Sequence, residues 1–228
     1  MLEQPINIHS LIRTGGRLGS NPAGIYQNQA GESFYIKQLE SPMHAKNEWL
    51  AAQLYRLCGA PTFEYLPSID PCQIITRWIP LDKKSIAKFS EQETQQAQQW
   101  LAVHAWTANW DAAGYLGDNQ GTYRGDVLTL DVGGALTYRA HGDPKGRAFS
   151  ISVPEIETLR ASEDNPYAKR LFGTMSNQAV IDSIKKVAQL DENAVQSTLL
   201  EHGASNKLID KMLARRQSLI DRASPFSF

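Results

Sequence analysis

The chain has 228 residues, a formal net charge of −1, 42% hydrophobic residues and 21% charged residues. This length suits one domain, or two lobes that share a cleft. The near-zero charge gives no broad attraction to nucleic acid, and no apolar run approaches the ~20 residues of a membrane span. The two cysteines, Cys58 and Cys72, lie in apolar surroundings. We therefore expect buried thiols and a reducing compartment, which is the cytoplasm or a target-cell cytosol into which the protein is translocated.

The first 80 residues predict strands and one helix. A glycine-rich turn at 13–24 joins two strand segments, and residues 33–39 alternate between apolar and polar types, as is typical of a half-buried strand. Gly59, followed by Pro61, is a stop signal for the helix before it. The predicted elements are strands at 33–39, 65–67 and 73–80 and a helix at 43–58.

The remaining residues predict mainly helices. Ser90 and Glu93 match a capping box, so a long helix should run from there through Trp106 and end near Asn109. Two short strands are expected at 121–127 and 128–130, and helices at 155–160, 177–190, 192–201 and 206–222. Basic residues of the last helix, such as Arg215 and Arg216, are interpreted as a solvated face or, less often, a docking patch. The chain is therefore predicted to be α+β, with a small strand-rich lobe at 1–80 over a mainly helical lobe at 81–228.

Five residues of the first part fit a phosphate site. Gly19, Ser20 and Asn21 lie in the glycine-rich turn, where backbone amides can cradle phosphates, although many such segments are only hairpin turns. Lys37 follows on the next strand and could reach phosphate oxygens, or it could simply face solvent. Glu48 on the next helix is placed to hold Lys37, or it is a surface glutamate. The order of these residues favours the phosphate interpretation.

Three polar residues further along the chain stand in an apolar background: Asp111, Asn119 and Asp131. Phosphoryl transfer requires one carboxylate that orients the nucleophile and oxygen ligands that hold Mg²⁺ on the phosphates. Asp131 follows an apolar strand and precedes two glycines, which permit a tight turn. Asp118 is a rival for the catalytic base, but a base and a metal ligand need some separation. The pattern predicts Asp111 as the catalytic residue and Asn119 with Asp131 as metal ligands; ordinary turn aspartates remain the alternative.

Three segments together resemble a known family. Residues 47–61, which open with Asn47 and Glu48, resemble the helix with an Asn-Glu start that is common in bacterial atypical kinases. Residues 105–111 and the Asp-Val-Gly at 131–133 resemble the catalytic-loop entry and the metal motif of the same kinases. These are the kinases related to HipA-type toxin kinases, phosphatidylinositol 3-/4-kinases and actin-fragmin kinase. The resemblance covers about residues 13–150.

The resemblance implies a bilobal protein-kinase-like fold and transfer of the γ-phosphate of ATP, with Mg²⁺, to a Ser or Thr of a protein substrate. It implies that Lys37 binds phosphate, that Glu48 steadies it, that Asp111 is catalytic, and that Asn119 and Asp131 bind Mg²⁺. It also implies a hinge whose backbone meets adenine, formed by Ile75, Arg77 and Ile79.

Other consequences of the resemblance stay open. In such kinases the Asn follows the Asp by about five residues, whereas Asn119 follows Asp111 by eight. Ser20 is a candidate for regulatory autophosphorylation, because a phosphate there would repel nucleotide phosphates. A bacterial toxin or effector role is expected by analogy. The alternatives are a lipid or small-molecule kinase, a nucleotidyltransferase and a nucleotide-binding pseudokinase.

Overall fold

The computed structural model describes residues 4–19 and 21–223, so Ser20 and its predicted modification lie outside the described residues. The N-terminal part is a five-stranded antiparallel sheet. Its strands are β1 (Ile12–Gly15), β2 (Ala23–Gln27), β3 (Ser33–Gln38), β4 (Tyr65–Leu66) and β5 (Gln73–Arg77), in the order β1-β2-β3-β5-β4. The strands predicted at 33–39, 65–67 and 73–80 are thus confirmed with shorter bounds.

Strand β3 has two faces with different functions. Phe34 and Ile36 are buried in a small apolar cluster with Leu66 and Ile75. Because successive side chains of a strand alternate between faces, Lys37 lies on the opposite face. That face is covered by helix α1 (Pro42–Cys58).

Helix α1 begins and ends at the residues that the sequence indicates. The Ser41 side chain accepts a hydrogen bond from the His44 backbone N–H, and Pro42 occupies the first turn, where its missing N–H costs nothing. Gly59 ends the helix with φ 73°, a left-handed conformation that glycine adopts without strain. The predicted helix at 43–58 is confirmed.

The single helix predicted to run from Ser90 past Trp106 is wrong. The chain forms α2 (Glu91–Gln98) and α3 (Leu101–Trp106), separated at Trp100. The capping box of Ser90 and Glu93 is present. At the break, the Trp100 N–H donates to the Ala97 carbonyl, one residue closer than in an α-helix. This tighter hydrogen bond ends the regular ladder.

The prediction of strands at 121–127 and 128–130 is wrong in its bounds, because the turn between the two strands comes earlier in the chain. The strands are β6 (Gln120–Tyr123) and β7 (Asp126–Thr129), which pair antiparallel. Between them Arg124 has φ 53° and Gly125 has φ 88°. Two residues with positive φ make the tight turn that matches the twist of a hairpin. The Arg-Gly pair lacks the Asn-Gly or Asp-Gly signal by which such turns are predicted from sequence.

Helices form the rest of the chain. They are α4 (Glu155–Thr158), α5 (Pro166–Phe172), α6 (Asn177–Ala188), α7 (Glu192–Glu201) and α8 (Asn206–Ala223). Helix α5 was not predicted, although Asn165 caps it and Pro166 opens it. The interpretation of Arg215 as solvated is wrong, because its side chain is fully buried. In the described part of the chain, no helix is both long enough and apolar enough to cross a membrane.

Candidate active site

Lys37 and Glu48 meet between the sheet and helix α1. Lys37 Nζ lies 2.5 Å from Glu48 Oε1, and both side chains are largely buried. The hydroxyl of Tyr65 on β4 also donates to Glu48 Oε1, at 3.1 Å. The structure therefore brings the predicted strand lysine and helix glutamate together, and adds a tyrosine that the sequence gave no reason to select.

Asp131 joins this pair from the opposite side of the cleft. Its Oδ2 lies 3.4 Å from Lys37 Nζ, and its Oδ1 accepts a hydrogen bond from the Gly133 N–H at 2.7 Å. A Cβ at position 133 would lie 2.9 Å from Glu48 Oε2 and 3.1 Å from Asp131 Oδ1. Glycine at this position lets the two carboxylates approach the backbone and each other.

Asp111 and Asn119 lie next to each other despite their long spacing. Asn119 Nδ2 donates to the Asp111 carbonyl at 2.7 Å and to Asp111 Oδ2 at 2.9 Å. The intervening loop turns back at Gly114 and Gly117, which have φ 75° and 73°. Asp118, the rival base, is exposed. Asn119 therefore contacts Asp111 even though eight residues, rather than about five, separate them in the sequence.

The ionisation of Asp111 depends on its surroundings. Burial, and secondly the negative charge of Asp131, raise the pKa of Asp111 to about 6, while the hydrogen bond from Asn119 opposes this shift. A carboxylate with this pKa is ionised at neutral pH and is a better proton acceptor than an ordinary aspartate.

The Lys37–Glu48 pair is strongly coupled. Burial disfavours the charge of Lys37, but the carboxylates of Asp131 and Glu48 outweigh it and raise the pKa of Lys37. For Glu48 burial dominates and raises its pKa, against the lowering effect of Lys37. Lys37 is thus a permanent cation at the end of the cleft, and its charge is available to an anionic ligand.

The atoms available to a metal ion belong to Asn119 and Asp131. The Leu130 N–H donates to the Asn119 carbonyl at 2.9 Å, so these residues lie on neighbouring stretches of chain. The Asn119 amide nitrogen is committed to Asp111, which leaves Oδ1 as a ligand atom. One carboxylate and one amide oxygen fit Mg²⁺, which prefers hard oxygen ligands and keeps several waters. Among the described residues, no group of three or more His, Cys, Asp or Glu side chains is arranged for a metal.

The glycine-rich turn borders the same cleft. Asn21 lines a cavity of about 440 Å³ that Glu48 and Asp131 also line. Gly19 is exposed with φ 129°. The backbone N–H and carbonyl of Leu18 both hydrogen bond to the Tyr35 hydroxyl, at 3.0 and 2.9 Å.

Two of the predicted hinge residues, Ile75 and Arg77, have side chains that face away from Lys37. Ile74 pairs with Lys37 across the sheet, so Ile75 faces the other way, into the small apolar cluster. Arg77 lies on the same outer face and pairs with Glu32 and Glu64. The structure therefore does not bring the side chains of Ile75 and Arg77 to Lys37, because side chains alternate along the strand. The prediction concerns the backbone of Ile75, Arg77 and Ile79, so their contact with adenine stays a prediction.

Comparisons with known proteins find similarity at the level of structure. No protein-family model and no curated protein matches the sequence. The Helicobacter pylori proinflammatory kinase CtkA has a similar structure over 93% of this chain and 94% of that chain, with a TM-score of 0.60 and 13% identity. The fold is thus α+β and kinase-like, with a small β-rich lobe over a mainly helical lobe.

Two other kinases match less closely. The amicoumacin kinase hAmiN, in complex with AMP-PNP, Ca²⁺ and Ami, covers 97% of this chain and 92% of its own, with a TM-score of 0.42 and 11% identity. An aminoglycoside phosphotransferase from Alicyclobacillus acidocaldarius covers 99% and 95%, with a TM-score of 0.41 and 10% identity.

Proposed function

We propose that this chain is an ATP- and Mg²⁺-dependent kinase that transfers the γ-phosphate to a Ser or Thr hydroxyl of a protein. The observation that carries the proposal is a set of contacts among residues from separate segments of the chain. Lys37 contacts Glu48 and Asp131, Asn119 contacts Asp111, and the two groups adjoin where the Leu130 N–H donates to the Asn119 carbonyl. Phosphoryl transfer depends mainly on positioning and on charge stabilisation, and these are the groups that supply both.

Each residue has a distinct role in this proposal. Lys37, held by Glu48, binds phosphate oxygens of ATP. Asn119 and Asp131 hold Mg²⁺, which when bound offsets the negative charge of the phosphates. Asp111, whose pKa is about 6, orients the acceptor hydroxyl and receives its proton.

A protein acceptor is supported by the surface around Asp111. Tyr115 and Leu116, on the loop between Asp111 and Asn119, are 74% and 68% exposed. Exposed apolar side chains beside a reactive centre suit contact with another protein. The resemblance to HipA-type kinases extends the proposal to a bacterial toxin or effector that acts in the cytosol of its own or a target cell.

The test uses ATP labelled separately at the γ- and α-phosphates, with Mg²⁺ and a cell lysate, phosphoinositide vesicles or small hydroxyl compounds as acceptors. Wild type is compared with Asp111→Asn, which keeps an oxygen for the Asn119 amide. We expect γ-label on protein Ser or Thr, lost in this variant. Asp118→Asn is the matched control, because Asp118 is exposed and adjacent to Asn119.

The other outcomes separate the alternatives. Label from the α-position would mean nucleotidyl transfer, and γ-label confined to vesicles or small molecules would mean a different acceptor class. ATP binding without transfer to any acceptor would mean a pseudokinase. Loss of transfer in Asp118→Asn, with Asp111→Asn still active, would show that Asp118 and not Asp111 is the catalytic base.

A further inference from the structure

The backbone that follows Asp131 is held by a buried asparagine. Asn47 Nδ2 donates to the carbonyls of Gly133, at 3.3 Å, and Ala135, at 2.8 Å. Asn47 Oδ1 accepts from the Thr137 N–H at 3.0 Å. Asn47 is 5% exposed, and all these contacts join helix α1 to the segment 133–137.

A buried lysine holds the carbonyls that Asn47 does not contact. Lys145 Nζ donates to the carbonyls of Gly134, at 2.7 Å, and Leu136, at 2.9 Å. Four successive carbonyls from 133 to 136 are therefore bound alternately by Asn47 and Lys145. The segment has no regular secondary structure, so these side chains satisfy backbone groups that a helix or sheet would otherwise satisfy.

The burial of Lys145 costs free energy. Burial lowers the pKa of Lys145 to about 7, although the nearby Glu155 opposes the shift. The Trp110 ring, 5.0 Å from Nζ, and the two carbonyls favour the charged form. Unpaired charges are rarely buried, so a lysine used here to bind two carbonyls indicates that the position of this segment matters.

We infer that Asn47 and Lys145 form a clamp that positions Asp131 for Mg²⁺, so that both are positioning residues of the phosphate site. Asn47 is adjacent to Glu48, which lies beside Lys37, and the segment that it holds begins two residues after Asp131. The clamp thereby fixes the carboxylate of one lobe relative to the lysine of the other. This inference rests on the proposed function, because it assigns Asp131 to the metal.

The test measures the Kd of ATP with Mg²⁺ and with EDTA for each variant, and compares the ratio of the two. Loss of a residue that orients a metal ligand typically weakens metal affinity about 10–100-fold. We expect Asn47→Ala to lower the Mg²⁺ enhancement of ATP binding about tenfold while the Kd in EDTA changes little. Lys145→Met, which keeps the apolar stem, should have the same effect.

Two controls remove similar hydrogen bonds elsewhere. Gln98 donates its side-chain amide to the Leu171 carbonyl at 2.7 Å. Lys211 donates to the Phe149 carbonyl at 2.6 Å and lies 4.6 Å from the Phe149 ring. Gln98→Ala and Lys211→Met should lower stability without changing the Mg²⁺ ratio, whereas a general loss of stability would move the ratio in all four variants.

The outcomes for the clamp and for the proposed function are distinct. Wild type without Mg²⁺-enhanced ATP binding would overturn the proposed function. Enhanced binding in wild type with an unchanged ratio in folded Asn47→Ala or Lys145→Met would overturn the clamp alone.

If neither Asn47→Ala nor Lys145→Met folds, the clamp is tested by hydrogen exchange of the backbone amides of the wild-type protein. Mg²⁺·ATP should then protect the Gly133 N–H, held by Asp131, and the Thr137 N–H, held by Asn47, by the same factor. Unequal protection would overturn the clamp.

Discussion

Two buried pairs of a cation and a carboxylate differ in how fully their polar atoms are used. The Arg215 guanidinium donates to Glu155 and to four backbone carbonyls, and Glu155 also accepts from the Trp110 ring N–H. Lys37 has two carboxylate partners among the described residues, although an ammonium carries three protons. One of these partners, Asp131, has a side chain that is 42% exposed. Arg215–Glu155 is therefore a saturated pair, whose polar atoms are all used within the fold. Lys37–Glu48 is the pair at the cleft, and its lysine can still bind a ligand.

Breaking the saturated pair should have the largest effect on stability. Arg215→Met leaves the Glu155 carboxylate buried without its partner, which typically costs about 3–5 kcal/mol. Urea unfolding should show this loss. The double variant Arg215→Met/Glu155→Met should recover part of it, because no buried charge remains. A loss below about 1 kcal/mol in the single variant would place Arg215 with the solvated residues.

Breaking the Lys37–Glu48 pair should weaken ATP binding more than it lowers the free energy of unfolding. Lys37→Met removes a charge-assisted contact with phosphate, typically about 1.5–3 kcal/mol, so the Kd of Mg²⁺·ATP should rise about 10–100-fold. The free energy of unfolding should fall less than in Arg215→Met, because burial already raises the pKa of Glu48 and Tyr65 still donates to it. Unfolding as severe as that of Arg215→Met, with ATP affinity retained, would reverse the comparison.

A smaller change tests the close approach of the carboxylates. In Gly133→Ala the new Cβ would meet Glu48 and Asp131, and overpacking of this kind costs about 1–3 kcal/mol. We expect the Mg²⁺-dependent affinity for ATP to fall about tenfold. Gly134→Ala is the matched control, since its Cβ would lie 3.4 Å from Ala140, an ordinary contact. If titration calorimetry gave the same loss of ATP affinity for both variants, the close approach of Glu48 and Asp131 to position 133 would not be required for binding.

The pH dependence should be the mildest difference between the regions. The pKa of Asp111 is raised to about 6, so the fraction with the ionised carboxylate falls as the pH drops through that value. The kcat/KM for γ-phosphate transfer should halve near pH 6 and fall about tenfold by pH 5, because it reports the free enzyme. A rate that is constant from pH 8 to 5 would exclude Asp111 as the base.

The sequence reveals residues whose chemistry and spacing are local, and misses those whose partners are distant along the chain. Lys37, Glu48 and Asp131 stand out because a strand, a helix and a D-x-G turn each have their own pattern. Arg215 was assigned to solvent because a basic helix face does not reveal that carbonyls of residues 105, 106, 150 and 152 surround it. The orientation of Ile75 could not be inferred either, since the adjacent Ile74 and Ile75 place one isoleucine on each face of β5.

The most direct test of the site is the affinity for ATP, with and without Mg²⁺, of wild type, Asp131→Ala and Asp111→Asn, measured by titration calorimetry. We predict that Asp131→Ala loses the Mg²⁺ enhancement while Asp111→Asn keeps it and loses only γ-phosphate transfer. Binding and transfer at wild-type levels in both variants would contradict the assignment of the site.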